Sequence, residues 1–490
     1  MKKIFLMTVL AAILTCGCQN EVQEINSLDD LKNARIGVWQ TSAYELRARE
    51  VLPNAEYIYF YTISDMVQNL LQHKIDAFVL GKGYADNIKS EGIDVKYLTQ
   101  SLGDVPLSYA FTKNERGQKI CSQMNEYLAK IEASDEFEEL KNKWFTGDEK
   151  SKIFQKKVLT GENGTLKICT EGGSPPFIYL REGEIVGYEI ELLNNFCAAY
   201  GYNYEVKIGD FVTTLLDVST GKCDIAINAI EKLPEREKKL FLSNPNYTEQ
   251  AVAIINSESS SLFKVADRVK NSLIFESRWK MILDGARITL FITIGAIIFG
   301  TLLGLALYIL YREKISFVNK ILDITYRTLQ GLPTMVLMLF FYYVVFGNVE
   351  ISPIFTAVIV FSIVLSISVF VMLKSGAESI SKGQMEAALS LGFSERQAFI
   401  KFILPQIIRN YFLSYRLSLN VILLETSIVG YISVKDLTKM ADLIRARTYD
   451  AFVPIITIAI VYLLLSKLLM FVTDKISQRI DPKNRSREKI

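Results

Sequence analysis

Residues 386–392 read Glu-Ala-Ala-Leu-Ser-Leu-Gly, and eleven residues after this glycine the chain reads Ile-Leu-Pro at 403–405. The spacing predicts a short amphipathic helix over 384–391, a turn at the glycine and then a second helix. Long apolar runs lie on both sides of this stretch, at 351–373 and 417–434. The pattern therefore predicts a compact helix-turn-helix loop between two membrane spans.

Five apolar runs follow one another in the second half of the chain. The mean hydropathy of +0.21 is too high for a purely soluble protein. Each run is close to the roughly 20 residues that a helix needs to cross a bilayer. We therefore expect an all-α membrane domain of five transmembrane helices over residues 283–475, followed by a basic tail over 476–490. The runs are Ile288–Leu310, Thr328–Gly347, Ile351–Leu373, Leu417–Val434 and Ala451–Ser466.

The first eighteen residues have the pattern of an export signal. Lys2 and Lys3 precede an apolar run that is too short to span a bilayer, and Gly17 and Cys18 follow it. A small residue before a cysteine is similar to the bacterial lipobox, in which the cysteine carries the lipid. We predict a signal peptide over residues 1–18, of the lipoprotein type, with Cys18 as the lipidation site. Ordinary cleavage and an uncleaved anchor stay open as alternatives.

The stretch from about residue 26 to 261 alternates short apolar strands with amphipathic helices. Segments 76–80, 166–169 and 224–227 have the continuous apolar pattern of buried parallel strands. Helical patterns lie between them, which indicates α/β layers. Cys121, Cys169, Cys197 and Cys223 permit disulfides outside the cytoplasm, but the apolar patterns around Cys169, Cys197 and Cys223 favour buried free thiols.

The composition argues against several classes of function. The net charge is +2, so no basic surface for nucleic acid is expected. A single histidine, His73, argues against zinc hydrolases and catalytic triads. We expect no metal, no cofactor and no enzymatic activity of the chain itself.

The stretch at 386–405 resembles the coupling loop of permeases from ATP-binding-cassette (ABC) importers. Gln330-Gly331-Leu332-Pro333 and Leu423–Ile428 resemble further motifs of the polar-amino-acid branch of that family. No GxxxxGK[ST] motif occurs, so the resemblance implies a separate ATPase subunit, and five spans imply pairing with a second copy as a homodimer. The residues expected to contact the ATPase are Glu386, Ala387, Ala388, Gly392 and Pro405.

The coupling loop must face the cytoplasm, and this orients the whole membrane domain. The binding half and the segment Ser433–Asp450 then lie outside, and the basic tail lies inside, as the positive-inside bias predicts. One observation conflicts with this orientation, because the outer segment carries Lys435, Lys439, Arg445 and Arg447.

The first half resembles a bilobal periplasmic amino-acid-binding protein whose parts follow in an unusual order. Residues 163–258 are similar to lobe 1, with Pro175-Pro176-Phe177 and Pro234-Glu235-Arg236 among the markers. Residues 26–147 are similar to lobe 2 and the C-terminal return helices, ending in Lys143-Trp144-Phe145. We interpret the order as a circular permutation of one α/β bilobal domain; two truncated domains are the alternative.

The resemblance also implies a ligand site. In the family an arginine holds the ligand carboxylate, and Arg236 matches it. The aspartate that binds the ligand ammonium falls at Gly81, which removes one acidic partner. The residues expected at the site are Arg236, Glu171, Ser42, Phe177 and Glu231.

These features predict an inner-membrane permease of an ABC importer with a fused extracytoplasmic domain that binds amino acids or similar small polar carboxylates. Its partners would be the ATPase, the second copy, the ligand and the bilayer, with no nucleic acid. A ligand-gated channel is the alternative, but the sequence has no TVGYG-like filter and a channel would not need the coupling loop. A sensory receptor is a further alternative. Glu425, inside a predicted span, could line the substrate path or pair with Arg416.

Overall fold

The computed structural model describes residues 25–132, 134–146, 151–257, 265–313, 315–347, 349 and 351–480. The predicted signal peptide with Cys18 lies outside these residues, as does the end of the basic tail from residue 481 onwards.

The strands that the structure describes lie between residues 35 and 256. They are β1 (Arg35–Trp39), β2 (Glu56–Phe60), β3 (Ala77–Gly81), β4 (Val95–Phe111), β5 (Thr165–Thr170), β6 (Gly173–Ser174), β7 (Ile178–Arg181), β8 (Glu184–Val186), β9 (Asn203–Ile208), β10 (Ile225–Glu231), β11 (Phe241–Leu242) and β12 (Tyr247–Asn256).

Helices connect these strands and make up the second half. Short 3-10 or π segments cover Leu28–Leu31, Lys270–Ile274, Phe275–Ser277, Phe341–Val345, Phe399–Ile403 and Thr426–Ile432. The α-helices are α1 (Ala43–Val51), α2 (Ile63–Leu71), α3 (Lys82–Ser90), α4 (Glu115–Ile131), α5 (Asp135–Phe145), α6 (Tyr188–Ala199), α7 (Phe211–Ser219), α8 (Pro234–Glu237), α9 (Val265–Val269), α10 (Trp279–Arg312), α11 (Ser316–Gln330), α12 (Thr334–Phe340), α13 (Pro353–Ser379), α14 (Lys382–Ser390), α15 (Glu395–Ala398), α16 (Leu404–Glu425), α17 (Leu437–Thr448) and α18 (Phe452–Ile480).

The chain folds into two compact units. Unit 1 comprises Met1–Leu107 and Tyr247–Leu262, and unit 2 comprises Ser108–Asn246 and Phe263–Ile490. In unit 1, β2, β1 and β3 run parallel, and β12 lies antiparallel between β3 and β4. The buried strand β3 is apolar throughout, which is typical of a strand covered on both faces.

Unit 2 contains an α/β body, residues 108–246, that we call the docked lobe. Its strands β10, β5 and β9 are parallel, and β11 pairs antiparallel with the end of β4. Within it, α4 and α5 pack on the part that follows in the chain: the ring centroid of Tyr127 in α4 lies 5.8 Å from that of Phe196. The Trp144 indole of α5 donates a hydrogen bond to Glu191 Oε2 (2.8 Å), and the Lys143 ammonium pairs with the same carboxylate (2.6 Å). Residues 115–145 therefore belong with the lobe that begins at β5, although they precede it in the chain.

Within the part of the chain that the structure describes, four helices are long and apolar enough to cross a membrane. The count rises to five if the pair α11 and 334–345, bent by 108°, forms one span. The predicted run Thr328–Gly347 is thus not one straight helix. The break falls at 331–333, because Pro333 cannot donate a backbone hydrogen bond and cannot continue the helix. The four helices that are each long and apolar enough are Trp279–Arg312, Pro353–Ser379, Glu395–Ile432 and Phe452–Arg479.

Glycines bring α10 and α13 close together. A Cβ atom at Gly300 would lie 2.8 Å from the Ser362 carbonyl oxygen, and one at Gly304 would lie 2.6 Å from that of Ser366. This spacing of small residues is typical of membrane helices that pack without a hydrophobic driving force. The predicted order, an α/β region followed by a helical membrane region, is confirmed.

Candidate ligand site and coupling loop

The side chain of Asn228, within β10, connects residues at and just after the carboxyl end of β5. Its Oδ1 accepts hydrogen bonds from the Glu171 backbone N–H (3.2 Å) and the Thr170 hydroxyl (3.2 Å). Its Nδ2 donates to Glu171 Oε2 (3.3 Å) and to the Ser174 hydroxyl (3.3 Å). The carboxyl ends of parallel strands are the usual place for a ligand site. Burial raises the pKa of Glu171 above its usual value.

Arg236 and Glu231, both predicted at the site, are paired with each other. One guanidinium nitrogen, Nη1, donates to the Glu231 carbonyl oxygen (2.9 Å) and forms an ion pair with the Glu231 carboxylate. The Arg236 side chain is only 12% exposed and lies over the ring of Phe211, 5.4 Å from its centroid. Within the described ranges, Nε and Nη2 of Arg236 have no hydrogen-bond partner, so one edge of the guanidinium keeps its donors.

Phe177 and Ser42 both have structural contacts. Phe177 is fully buried, with its ring centroid 5.1 Å from that of Phe145. Ser42 belongs to unit 1, where it caps α1: its hydroxyl accepts from the Glu45 backbone N–H (3.1 Å) and donates to the Trp39 carbonyl oxygen (2.7 Å). Their roles as ligand contacts stay predictions.

Unit 1 contains a buried acid, Glu249, that the sequence motifs do not predict. A Cβ atom at Gly81 would lie 2.5 Å from Oε2 of Glu249, so the Glu249 carboxyl group fills the space beside this glycine. It accepts hydrogen bonds from the Gly83 backbone N–H (3.1 Å) and is 1% exposed. Burial raises the pKa of Glu249 to about 8. An acidic group therefore lies beside Gly81, although Gly81 itself lacks the aspartate of the family.

The helix α17 packs against the docked lobe. Its apolar residues Met440 and Ile444 share a buried cluster with Leu180 and Ile208 of the lobe. A Cβ atom at Gly173 would lie only 2.9 Å from the Cβ of Ala446. The basic residues of the segment Ser433–Asp450 therefore lie in or beside a protein contact rather than in a free loop.

Two of these basic residues face the docked lobe. The Arg447 guanidinium lies over the ring of Tyr179, 4.7 Å from its centroid. The buried Lys439 is close enough for its charge to lower the pKa of Glu171, against the larger opposing effect of burial. Asp210 and Asp442 also act on Glu171, and both raise its pKa. A cation of the membrane domain thus lies near the predicted ligand segment of the lobe.

The coupling loop has the predicted helix-turn-helix form. After α14 the chain turns at Gly392, whose φ of +86° is one that residues with a side chain rarely adopt. The Ser394 hydroxyl accepts from the Gln397 backbone N–H (3.3 Å) and so begins the second helix. Leu391, beside the turn, is 77% exposed. Pro405 lies in the first turn of α16, where its missing N–H costs little.

The predicted pairing of Glu425 with Arg416 is wrong. Arg416 forms its ion pair with Asp474 of α18. Glu425 instead accepts a hydrogen bond from the Thr334 hydroxyl (3.1 Å), at the start of α12. An acid inside a span therefore meets a partner beside the break at 331–333, where the helix is interrupted.

The cysteines of the docked lobe differ in state. Cys169 and Cys223 form a disulfide, with Cα atoms 6.0 Å apart, so the expectation of free thiols is wrong for this pair. Cys121 and Cys197 are free and buried, and burial raises the pKa of Cys121 to about 11.

Residues 296–482 match the family of the "binding-protein-dependent transport system inner membrane component". These residues form a permease domain of that kind. The prediction of an ABC permease domain is confirmed, and the relatives are transporter subunits rather than enzymes. The match covers the coupling loop and all helices from the second half of α10 to α18.

Known proteins are similar to separate parts of the chain. The L-cystine transport system permease protein TcyB of Bacillus subtilis (strain 168) is 28% identical over 218 residues, which are 43% of this chain and 90% of TcyB. An amino acid ABC transporter crystallised with histidines is 27% identical and covers 45% of this chain and 100% of its own, at a TM-score of 0.40. A periplasmic substrate-binding protein of an ABC transporter from Coxiella burnetii is 12% identical and covers 48% of this chain and 90% of its own, at a TM-score of 0.27.

Proposed function

We propose that the chain is the membrane subunit of an ABC importer for amino acids and carries its own ligand-binding domain. The coupling loop is the observation that carries this proposal. It places the exposed Leu391 at the tip of a compact knob, beside a turn whose backbone at Gly392 adopts a φ of +86° that favours glycine. An exposed leucine on a rigid knob suits a groove on a partner ATPase, because its burial there would release about 2 kcal/mol.

The ATPase and a second copy of the chain are the partners in this proposal. The permease family implies the ATPase. The homodimer rests on the small number of spans, four or five in one chain. Affinity purification of the tagged chain from its native membranes tests both partners. We expect a P-loop ATPase at one copy per permease, and the same chain recovered with a second tag. Absence of any ATPase, with the loop intact, would contradict the proposal.

We also propose that the binding domain is one circularly permuted unit. The support is that α4 and α5 pack on the lobe that begins later in the chain, through Trp144 and Glu191. The chain leaves unit 1 after Leu107 in β4 and returns to it at Tyr247 in β12. These two strands are antiparallel neighbours, with Leu107 opposite Tyr247. In two truncated domains, the return helices would not share contacts with the lobe after them.

For the orientation, we propose that the binding domain lies outside and the coupling loop and C-terminus inside. The contact of α17 with the docked lobe supports this, because both must then lie on the same side of the bilayer. We further propose cleavage after Gly17 and lipidation of Cys18, as the lipobox pattern suggests.

The ligand site in this proposal lies at the carboxyl ends of β5 and β10. The free guanidinium edge of Arg236 would bind a ligand carboxylate, and Glu171 would bind an ammonium group. In this proposal the charge of Lys439, from the membrane domain, would interact with the bound ligand, and its effect on the pKa of Glu171 supports this. A site that contains both signs of charge suits a zwitterionic amino acid.

A further inference from the structure

A cavity of about 380 Å³ lies inside unit 2, where the docked lobe meets the membrane helices. The lobe contributes β9 and the segment around Lys222, and the membrane domain contributes Ile288, Pro353 and Lys435. Pro353 begins α13, and Lys435 follows the span that ends at Ile432. The cavity therefore lies at the level where helices leave the membrane. Its volume is within the range of about 300–1,000 Å³ that is typical of small-molecule sites.

Positive charge dominates the wall of the cavity. Glu205 is the acid among the lining residues, and Lys207 is neutralised by an ion pair with Asp217 (2.7 Å). The Lys222 ammonium lies over the ring of Tyr342 and donates to its carbonyl oxygen. Burial and the neighbouring charge of Lys207 lower the pKa of Lys222 to about 8, against the effect of Asp217. The four lining lysines are Lys167, Lys207, Lys222 and Lys435.

Lys435 has no counter-ion of its own. It is half-buried, and burial lowers the pKa of its ammonium group. Among the residues that the structure describes, none forms a hydrogen bond or ion pair with its Nζ. Burying a cation without a partner is unfavourable, and a bound anion would remove that penalty.

A long helix also begins at the cavity. Ser352 and Pro353 line it, and they start the 27-residue helix α13. The Ser352 side chain makes no capping hydrogen bond, so the first-turn N–H groups keep their positive partial charge. Backbone N–H groups at a helix start favour phosphate and other anions.

We propose that this cavity binds a phosphate group, as carried by an anionic phospholipid headgroup at the membrane surface. Lys435, Lys222 and the start of α13 would hold the phosphate oxygens. The apolar lining residues Ile288, Ile354 and Val434 would contact the glycerol and the first acyl carbons. The bound headgroup would fasten the docked lobe to the membrane domain, because residues of both parts contact it. This site is separate from the ligand site of the importer and does not depend on the transport proposal.

Thermal unfolding of the full chain in detergent tests the site. The probes are phosphatidylglycerol, inorganic phosphate and diacylglycerol, which lacks a phosphate group. We expect phosphatidylglycerol to raise the melting temperature by several degrees and diacylglycerol to leave it unchanged. An equal rise with inorganic phosphate would assign the site to the phosphate group alone, and a rise with the lipid only would assign it to the headgroup in its membrane setting.

Variants of the lining lysines test whether the rise in melting temperature arises at this cavity. Lys435→Gln should lose most of the rise, whereas Lys435→Arg should keep it. The matched control is Lys280→Gln, an exposed lysine near the start of α10 that does not line the cavity. If Lys435→Gln does not yield folded protein, Lys222→Gln serves as the test, with the same loss expected. The proposal is overturned if no phosphate compound stabilises the wild-type chain, or if the cavity variants respond as the wild type does.

Discussion

Burial changes the pKa of individual acidic side chains in the binding half. Glu249 is the clearest case, because its pKa of about 8 in the folded chain lies far above the ordinary value of 4.5. Between these two pH values the folded chain keeps a proton that the unfolded chain releases. The free energy of unfolding therefore falls as pH rises through this window. Burial raises the pKa of Glu189 to about 7, which adds a slope of the same sign.

We predict that Glu249→Gln flattens this dependence. The amide oxygen of glutamine can still accept from the Gly83 N–H, but it has no proton to lose. The variant should melt a few degrees higher than the wild type at pH 8 and about equally at pH 5, measured by thermal unfolding in detergent. The exposed Glu56→Gln serves as control. If the melting temperatures of Glu249→Gln and the wild type change with pH in the same way across this range, the raised pKa does not belong to Glu249.

Arg236 gives a prediction on ligand affinity. A charge-assisted hydrogen bond to a carboxylate contributes about 1.5–3 kcal/mol, so Arg236→Ala should weaken amino-acid binding by about 10- to 100-fold. Lysine at this position should restore only part of the affinity, because it lacks the planar fork. Calorimetry of the full chain with a panel of amino acids, deaminated analogues and dicarboxylates measures this. The control is Lys238→Ala, an exposed lysine on the same segment. Unchanged affinity for all ligands in Arg236→Ala would remove Arg236 from the site.

At the scale of single residues, the sequence predicts which residues belong to the candidate site better than it predicts which of them contact one another. Arg236 and Glu231 are five positions apart, but their ion pair depends on how the chain turns between β10 and α8. Glu249 was missed because it is far from Gly81 in the chain and reaches it only through the register of β12 on β3. A local motif contains no information on such a contact.

At the scale of helices, hydropathy predicted the four spans that are single helices, but it did not predict the bend between α11 and α12. The run Thr328–Gly347 contains no charged residue, so composition alone does not separate one span from two helices at 108°. Pro333 was the available signal for the break. The cluster of basic residues in Ser433–Asp450 was the available signal for α17, which contacts the docked lobe.

The turn of the coupling loop yields a prediction at the same scale. A Cβ atom at Gly392 would meet nothing within 4 Å, so a substitution there acts through the backbone alone. Valine resists the φ of +86°, whereas asparagine tolerates it. Gly392→Val should abolish ligand-stimulated ATP hydrolysis of the reconstituted complex and leave ligand binding unchanged, and Gly392→Asn should keep most of the stimulation. If Gly392→Val keeps as much stimulation of ATP hydrolysis as Gly392→Asn, the turn does not transmit the motion of the ATPase.

In the whole molecule, the binding half and the permease belong to one chain, and α17 holds the docked lobe on the membrane domain. The sequence motifs predict both parts but not this contact, because the residues of the contact belong to neither motif. The most direct test of the account is ATP hydrolysis by the complex of this chain with its ATPase in lipid vesicles, with amino acids added and no separate binding protein present. The account predicts that at least one amino acid stimulates hydrolysis under these conditions. Stimulation that requires an added soluble binding protein, or no stimulation by any amino acid, would contradict it.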